Sequence, residues 1–372
     1  MIYVDNAATT KLDIDAFEAM KPYLLDEYGN ASQPYSFSRK PKQALKDARA
    51  TIAKCINAAP EEIFFTSGGT ESNNWAIKGV ALANPEKHAI VTSQIEHHAI
   101  LRACEALEKL GYPVAYLPVN REGVVTAETL ESLITSSTSL VSIMLANNEV
   151  GTIEPIKDLC EIAHKHGSLF HTDAVQAVGH VRIDVKELGV DMLSASAHKF
   201  NGPKGIGFLY VKKGTPIAQY LNGGSQEFGL RAGTENVASI VGMAVALKKN
   251  CDAIEKNAKH IGQLEAKLID RLSESGIDFV RNGATEHVPG NVSLSFRGAD
   301  GEALLHRLDL MGICVSTGAA CDTVNTQISH VLNAMNIDRA YATGTIRISL
   351  CIHNTQAEID RIFQCIMKIM KS

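Results

Sequence analysis

Three short segments of this chain hold residue types that could bind and activate a small molecule. The first, Ser67–Gly68–Gly69–Thr70–Glu71–Ser72, stands between a strand-like run and a helix-like run. Small residues let the backbone approach an anion, and a helix N-terminus offers unpaired N–H groups and a favourable dipole. The segment is therefore a candidate phosphate site. An ordinary strand-to-helix turn explains the same residues about as well.

The second segment, His171–Thr172–Asp173–Ala174–Val175–Gln176, ends a predicted strand with a carboxylate. This carboxylate could stay ionised against a cationic ring nitrogen, or it could cap the next helix. The third segment places Lys199 after a strand, beside Ser196 and His198 and before a turn rich in Gly and Pro. A lone lysine is usually a solvated charge, but one beside phosphate-binding groups can lose its proton and act as a Schiff-base nucleophile.

Together the three segments offer a phosphate site, a carboxylate for a ring nitrogen and an amine for an aldehyde. Pyridoxal phosphate presents these three groups to a protein. The combination predicts an enzyme that holds this cofactor on Lys199.

The elements that must position these residues alternate between strands and helices. Strand-like runs lie at 62–67, 89–93, 114–119, 140–146, 168–173, 192–196 and 205–211. Helix-like patterns cover 71–83, 98–110 and 155–166. This alternation predicts a mostly parallel sheet with helices on both faces, and ligands beyond the carboxyl ends of the strands.

A second α+β pattern follows Arg231. It consists of a long helical stretch at about 236–274, strand-like runs at 291–296, 313–317 and 345–352, and helices near 301–311 and from about 355. We predict an α/β protein with a large cofactor-binding domain at 14–250. Residues 1–13 with 251–372 form the predicted smaller α+β domain.

The composition favours an ordinary cytoplasmic enzyme. Of the 372 residues 45% are hydrophobic and 21% are charged, and 36 basic against 41 acidic side chains give a net charge of −5. No basic stretch predicts direct binding of nucleic acid. The longest apolar stretch, 238–247, is too short to cross a bilayer, and residues 1–13 lack the features of a secretory signal.

The spacing of the eight cysteines predicts neither a disulfide framework nor a zinc site, because no C-x-x-C pair occurs. The histidine pairs His97–His98 and His164/His166 have poor ligand spacing as well, so we predict no metal. Cys321 stands apart, because its segment 316–323 is small, polar and poor in anchoring apolar residues. We predict that this segment is a mobile loop.

Further motifs extend along almost the full length of the chain. They are YVDNAATT (3–10), TSGGTESNNWAIKG, EHHAI, NNEVGTIEPI, HTDAVQAVG, SAHKFNGPKGIG, GLRAGTEN, STGAAC and TIRISL. In their order and approximate spacing the chain resembles the cysteine desulfurases of the NifS/IscS type, in the class V aminotransferase superfamily. The resemblance implies the fold-type I architecture of pyridoxal-phosphate enzymes and a homodimer. It implies conversion of L-cysteine to L-alanine, with the sulfur carried as a persulfide to an acceptor protein.

The resemblance also implies catalytic roles for matching residues. Lys199 holds the cofactor, and Asp173 pairs with the ring nitrogen so that the ring withdraws electrons. Gln176 hydrogen-bonds the phenolic oxygen, and His97 stacks on the ring and moves protons. Cys321 attacks the substrate sulfur as a thiolate, for which a neighbouring base is needed because a free thiol is only partly ionised at neutral pH.

Binding roles follow from the same resemblance. Asn148 contacts the cofactor and, with Arg347, receives the substrate carboxylate, for which a bidentate guanidinium is well suited. Thr234 reaches the phosphate of the other subunit. Within one subunit the residues implied to hold the phosphate are Gly69, Thr70, Ser196 and His198.

Three features depart from the family pattern. Segment 30–38 lacks the Pro, His and Gly of the usual N-P-S-S-x-H-x-x-G. Cys351 stands where a glycine is usual; strand alternation would put it on the face of Arg347, about 13 Å away, so we do not expect it to be catalytic. The chain stops at Ser372, without the longer tail of housekeeping members. This leaves open whether the acceptor is an iron–sulfur scaffold or a protein of tRNA or DNA thiolation.

Two other functions remain as alternatives. A selenocysteine lyase or a true class V aminotransferase would share the cofactor site, but a transaminase needs no thiol like Cys321 and forms a keto acid instead of alanine. A non-catalytic dimer that serves as a binding platform would not need the set Lys199, Asp173, His97 and Cys321. A cysteine-turnover assay separates that alternative from an enzyme.

Overall fold

The computed structural model describes residues 1–84, 87–317 and 328–371. The strands in this part of the chain are β1 (Ile2–Tyr3), β2 (Ile63–Thr66), β3 (Ala89–Ser93), β4 (Val114–Leu117), β5 (Thr138–Ser142), β6 (Leu169–Asp173), β7 (Met192–Ser196), β8 (Gly207–Val211), β9 (Phe279–Asn282), β10 (Asn291–Phe296), β11 (Ile313–Cys314) and β12 (Thr345–Ser349). The α-helices are α1 (Ile14–Leu25), α2 (Arg39–Cys55), α3 (Gly69–Ala83), α4 (His98–Glu108), α5 (Ala127–Leu133), α6 (Ile156–Lys165), α7 (Val185–Leu188), α8 (Val237–Cys251), α9 (Ile254–Glu274), α10 (Gly301–Leu310), α11 (His330–Ala334), α12 (Arg339–Ala342) and α13 (Gln356–Met370).

A seven-stranded sheet has the order β2-β8-β7-β6-β5-β3-β4. Strands β4, β3, β5, β6 and β7 pair in parallel, whereas β8 is antiparallel to both of its neighbours. The inner strands β5, β7 and β8 are buried along their whole length, which is typical of strands covered on both faces. The predicted α/β class with a mostly parallel sheet is confirmed.

Helices cover both faces of this sheet, because successive strand residues point to opposite sides. Val91 and Phe170 pack into one core with α2, α6 and α8. Their neighbours Ile90 and Leu169 face the opposite core, which is built around Trp75 and includes α3 and α4. The two cores fix the sheet between helical layers and leave its strand ends available for a site.

The carboxyl-terminal part of the chain has its own core. Its antiparallel sheet has the order β12-β10-β9, and β1 pairs in parallel with β11. Val4 packs with Leu268, Phe296 and Ile346 in this core, which we call the carboxyl-terminal core. Leu12, by contrast, packs against the core of the large sheet, and the division into 14–250 and 1–13 with 251–372 stays a prediction.

The predicted helical stretch at about 236–274 consists of two helices, α8 and α9, separated at Asp252 and Ala253. The reason is that the two halves serve different cores. Met243 in α8 packs against the large sheet, whereas Leu268 in α9 packs in the carboxyl-terminal core. The break lets the chain turn from one core to the other.

Candidate active site

The predicted site residues gather at one edge of the large sheet. Asp173 ends β6 and Ser196 ends β7, and Lys199 lies in a 3-10 turn directly after β7. Gly69 begins α3 after β2, and His97 is the N-cap of α4 after β3. Because these strands all run in one direction, their carboxyl ends share an edge.

The glycines before α3 form a cradle that larger residues would fill. Gly68 has a φ of +146°, which residues with a side chain rarely adopt. A Cβ atom on Gly69 would lie 2.6 Å from Val175 Cγ2. No side chain caps α3, so its first N–H groups are available to an anion. Exposed Thr70 and the nearby Ser196 hydroxyl lie at the same helix end.

A carboxylate, that of Glu71, also lies at this helix end, and Arg231 balances its negative charge. Glu71 accepts hydrogen bonds from Arg231 Nε at 2.7 Å and from the Ser67 amide at 2.7 Å. Burial raises the pKa of Glu71, but these hydrogen bonds outweigh burial and the pKa lies below its ordinary value. Thr234, three residues after Arg231, is exposed. Its predicted role toward a second subunit stays a prediction.

Asp173 is held as a buried hydrogen-bond acceptor. It is 4% exposed, and it accepts from Asn73 Nδ2 at 2.6 Å and from the Val175 amide at 3.0 Å. No helix follows directly, since the chain continues in turns until α7, so the residue is not a helix cap. Two donors stabilise an ionised carboxylate, which can pair with a cationic ring nitrogen.

His97 presents one defined nitrogen. Its Nδ1 accepts from the Ala99 amide at 3.1 Å, so the proton of the neutral ring is on Nε2. Burial lowers the pKa of His97; Asp173 opposes this effect and Lys199 adds to it. The ring is therefore neutral at physiological pH. The influence of both charges on it places His97, Asp173 and Lys199 within electrostatic reach of one another.

Residues 5–9, which we call the amino-terminal segment, close the site from the other side. Lys199 Nζ donates to Ala7 O at 2.5 Å and to Ala8 O at 3.0 Å. Gln176 Nε2 also donates to Ala7 O, at 3.0 Å. His198 Nδ1 is hydrogen-bonded to Thr9 Oγ1 at 3.1 Å, and burial, reinforced by neighbouring lysines, lowers the pKa of His198 to about 4.

Arg347, on β12, is 6% exposed and joins the two parts of the chain. Its Nη1 donates to the backbone oxygen of Asn148 at 2.9 Å, and its Nη2 donates to Asp5 Oδ1 at 2.6 Å. Within the described part of the chain, its Nε has no hydrogen-bond partner although it is buried. The guanidinium therefore retains a donor for a further acceptor.

Two buried side chains, those of His171 and Glu96, form hydrogen bonds within the large sheet next to this edge. His171 is hydrogen-bonded to Ser142 Oγ at 2.8 Å and to Ser194 Oγ at 2.9 Å, and burial lowers its pKa to about 3. Glu96 Oε1 accepts from Ser93 Oγ at 2.6 Å. Burial raises the pKa of Glu96 to about 8. Both side chains are thus mainly neutral at neutral pH and tie neighbouring strands together.

Cys321 lies outside the described residues, but the chain on both sides of its segment does not. Ser316 and Arg347 form a reciprocal pair of backbone hydrogen bonds of 3.1 and 2.7 Å. Ser329 Oγ donates to Glu149, and His330 Nε2 donates to Glu96 O at 3.0 Å. The flank before the segment therefore contacts Arg347 directly. The flank after it contacts Glu149 and Glu96, which precede or follow the site residues His97 and Asn148 in the chain.

The structure changes the interpretation of Cys351. Strand β12 ends at Ser349, so the alternation that put Cys351 on the face of Arg347 does not extend to it. Its backbone N–H instead donates to Asn354 Oδ1 at 2.8 Å, in the turn that follows β12. Burial raises the pKa of the Cys351 thiol, which disfavours the reactive thiolate.

Sequence reasoning missed two contributors to the site. Asn73 was present in the motif TESNNWA, but helical spacing alone could not show that it reaches Asp173. Asp5 was present in YVDNAATT, and its pairing with Arg347 crosses almost the whole chain. The available signal was an aspartate that follows the apolar residues of this motif, but the sequence did not indicate that its partner is Arg347.

Among the described residues, no group of three or more His, Cys, Asp or Glu side chains could hold a metal ion. Nor does any helix of the described ranges have the length and apolar character needed to cross a membrane.

Comparison with known proteins gives matches over the whole chain. The family model of aminotransferase class-V matches residues 2–362. Cysteine desulfurase IscS of Dictyoglomus turgidum is 47% identical over 373 residues, which cover 100% of this chain and 94% of that protein. A solved structure of a NifS-like protein has a TM-score of 0.94 and 41% identity, with coverage of 100% and 99%. A structure of SspA in complex with cysteine has a TM-score of 0.84 and 36% identity, with coverage of 95% and 100%.

Proposed function

The chain belongs to the class-V aminotransferase family, among its NifS/IscS-like cysteine desulfurases, and we propose that it converts L-cysteine to L-alanine with transfer of the sulfur to Cys321. The family uses pyridoxal phosphate. The observation that carries the residue assignments is the meeting of Lys199, Asp173 and His97 at the carboxyl edge of the large sheet.

The residues at this edge fit a phosphorylated aromatic aldehyde. The cradle at Gly68 and Gly69 is space that a Cβ atom would fill, and it opens on the N-terminus of α3. Asp173 supplies a buried carboxylate for the ring nitrogen, and Gln176 supplies an amide for the phenolic oxygen. We assign the phosphate to Gly69, Thr70, Ser196 and His198, with Thr234 from a second copy of the chain.

When bound, pyridoxal phosphate supplies a protonated ring that withdraws electrons from the substrate. The buried Asp173 carboxylate, oriented by Asn73 and the Val175 amide, would pair with the ring nitrogen. Lys199 would hold the cofactor through its amine, and the same amine, when free, would take the proton from the substrate Cα. His97, which carries its proton on Nε2, would help to hold the cofactor and to move protons beside it. Arg347 and Asn148 orient the substrate by its carboxylate.

Sulfur leaves the substrate by thiolate attack. The Cys321 sulfur forms a bond to the substrate sulfur while the Cβ–S bond breaks, and Cβ takes up a proton. Cysteine and the Cys321 thiol thus become alanine and a Cys321 persulfide, with no other oxidant or reductant required. The thiol proton needs a neighbouring base, and we assign it to the substrate amine, because neutral His97 carries its proton on Nε2 and its Nδ1 already accepts from the Ala99 amide.

The same proposal extends to partners. The structure of a relative, SspA, is a complex with cysteine, and cysteine is the substrate we assign here. We assign a homodimer, in which exposed Thr234 completes the neighbouring site, and a cytoplasmic location. The persulfide passes to an acceptor protein, either an iron–sulfur scaffold or a protein of nucleic-acid thiolation.

The test is alanine production from L-cysteine by the protein loaded with pyridoxal phosphate. The wild-type protein should form alanine and a persulfide in equal amounts in the first turnover. Cys321→Ser should retain the visible absorbance of the bound cofactor and lose persulfide formation. Cys351→Ser is the matched control and should keep both. Full turnover by Cys321→Ser would show that another group accepts the sulfur, and a keto acid product would identify an aminotransferase.

A further inference from the structure

The carboxylate-binding arginine is already paired with a carboxylate of its own chain. Arg347 Nη2 lies 2.6 Å from Asp5 Oδ1, and Nη1 donates to Asn148 O at 2.9 Å. Both side chains are shielded, with 7% of the Arg347 and 19% of the Asp5 side chain exposed. A charged pair at this depth is much less screened than a pair on the surface.

The position of Asp5 is fixed by its backbone. The Val4 amide donates to Cys314 O at 3.0 Å, and the Ser349 amide donates to Val4 O at 2.7 Å. Tyr3 Oη donates to Asp5 O at 3.0 Å. Asp5 therefore stands beside β12 and presents its carboxylate to the guanidinium.

The pair is unequal in a way that permits exchange. Asp5 is more exposed than Arg347, so its carboxylate can be solvated when it leaves the guanidinium, whereas the buried Arg347 needs an acceptor. Arg347 Nε, buried and without a partner among the described residues, adjoins Nη2 on the guanidinium. A carboxylate that binds Nε and Nη2 together would meet the Asp5 carboxylate at Nη2.

We propose that Asp5 is an internal stand-in for the substrate carboxylate: it pairs with Arg347 in the resting protein and competes with the incoming carboxylate for Nη2. Asp5 is then a positioning residue that sets substrate affinity and acts through Arg347. This inference rests on the proposed function, in which Arg347 receives the carboxylate of L-cysteine.

The amino-terminal segment connects this exchange with the other end of the substrate. Asp5 binds Arg347, and two residues later Ala7 O accepts from Lys199 Nζ and from Gln176 Nε2. The carboxylate and the amine of an α-amino acid are thus recognised by residues that both contact one five-residue segment. An amino acid that replaces the Asp5 contact therefore does so beside the reacting lysine.

Asp5→Asn tests the proposal, because it removes the charge and keeps the shape. We expect KM for L-cysteine to fall about fivefold to tenfold, since repulsion between two carboxylates on one guanidinium is removed, with kcat within about twofold. Asp5→Glu retains the charge and is the control, with no such fall. L-cysteine methyl ester, which has no carboxylate, should show the same KM with Asp5→Asn as with wild type.

A rise in KM, or an equal fall for the acid and the ester, would overturn the proposal. Asp5→Ser is the second variant if Asp5→Asn is unstable, and it must change KM in the same direction. Equilibrium binding of L-alanine to the loaded protein, measured by its visible spectrum, must tighten in the same variants. This binding measurement remains decisive even if the wild-type protein proved unable to convert cysteine, which would refute the proposed function alone.

Discussion

The two ends of the proposed substrate site are assembled in different ways. At the cofactor end, Asp173, Ser196 and Lys199 follow neighbouring parallel strands of one sheet. At the carboxylate end, Arg347 is held by Asp5 and by Asn148, which are 342 and 199 residues away in the chain. The first end is fixed by the sheet itself, whereas the second exists only when the amino terminus, the large sheet and the small sheet are docked together.

This difference has a functional consequence. A site at parallel strand ends places reactive groups with little freedom, which suits covalent chemistry. A site between separately cored parts of the chain can adjust its ligand contacts, which suits exchange of one carboxylate for another. We therefore expect substitutions at the cofactor end to affect the chemical step and substitutions at the carboxylate end to affect binding.

The largest effect is expected for Lys199→Ala. Loss of the amine removes the covalent link to the cofactor, so the visible absorbance of the linked form should vanish and turnover should fall by about a thousandfold or more. Lys204→Ala, at an exposed lysine five residues later, is the matched control and should behave like wild type. If Lys199→Ala kept the absorbance, the cofactor end would be wrongly assigned.

Arg347→Lys should have the next largest effect, on the opposite parameter. A lysine keeps the charge but cannot donate to two carboxylate oxygens in the planar geometry of a guanidinium, so KM for L-cysteine should rise about a hundredfold with a smaller change in kcat. Arg281→Lys is the control, because Arg281 belongs to the same small sheet and pairs with Glu265 at 2.9 Å. A loss confined to kcat would erase the distinction between the two ends.

The smallest effect at neutral pH is expected for His171→Asn, which probes the sheet below the cofactor end. Burial lowers the pKa of His171 from 6.5 to about 3, so the folded protein holds the ring neutral while the unfolded chain takes up a proton. Stability is therefore present above pH 6.5 and is lost as the pH falls toward about 3, by up to about 1.4 kcal/mol per pH unit for this one group.

Urea unfolding at several pH values measures this slope. The Asn variant should have a shallower dependence of the free energy of unfolding on pH between about 6 and 4, whatever its stability at neutral pH. His306→Asn, the same substitution at an exposed histidine, is the control for the substitution itself. An identical slope in the His171 variant would mean that the ring is not held neutral by burial.

The sequence predicted the large sheet well for a local reason. Runs such as 140–146 are almost wholly apolar, and this pattern is already sufficient to indicate a buried parallel strand. It predicted the small domain less well, because the helix pattern at 236–274 is continuous and only packing shows the break at Asp252. The short β1 and β11 are stabilised by pairing with each other, for which neither segment carries a strong signal.

What the sequence by itself determined is the set of reactive residue types and their order: a glycine cradle, a carboxylate and a lysine at strand ends, and a thiol late in the chain. Strand periodicity and the direction of parallel strands suffice to bring the first three to one edge. Tertiary structure alone decided that Asn73 supports Asp173, that residues 5–9 contact Lys199, and that Asp5 pairs with Arg347. Such contacts depend on how separate elements dock, and no local pattern of residues encodes a partner that is hundreds of positions away.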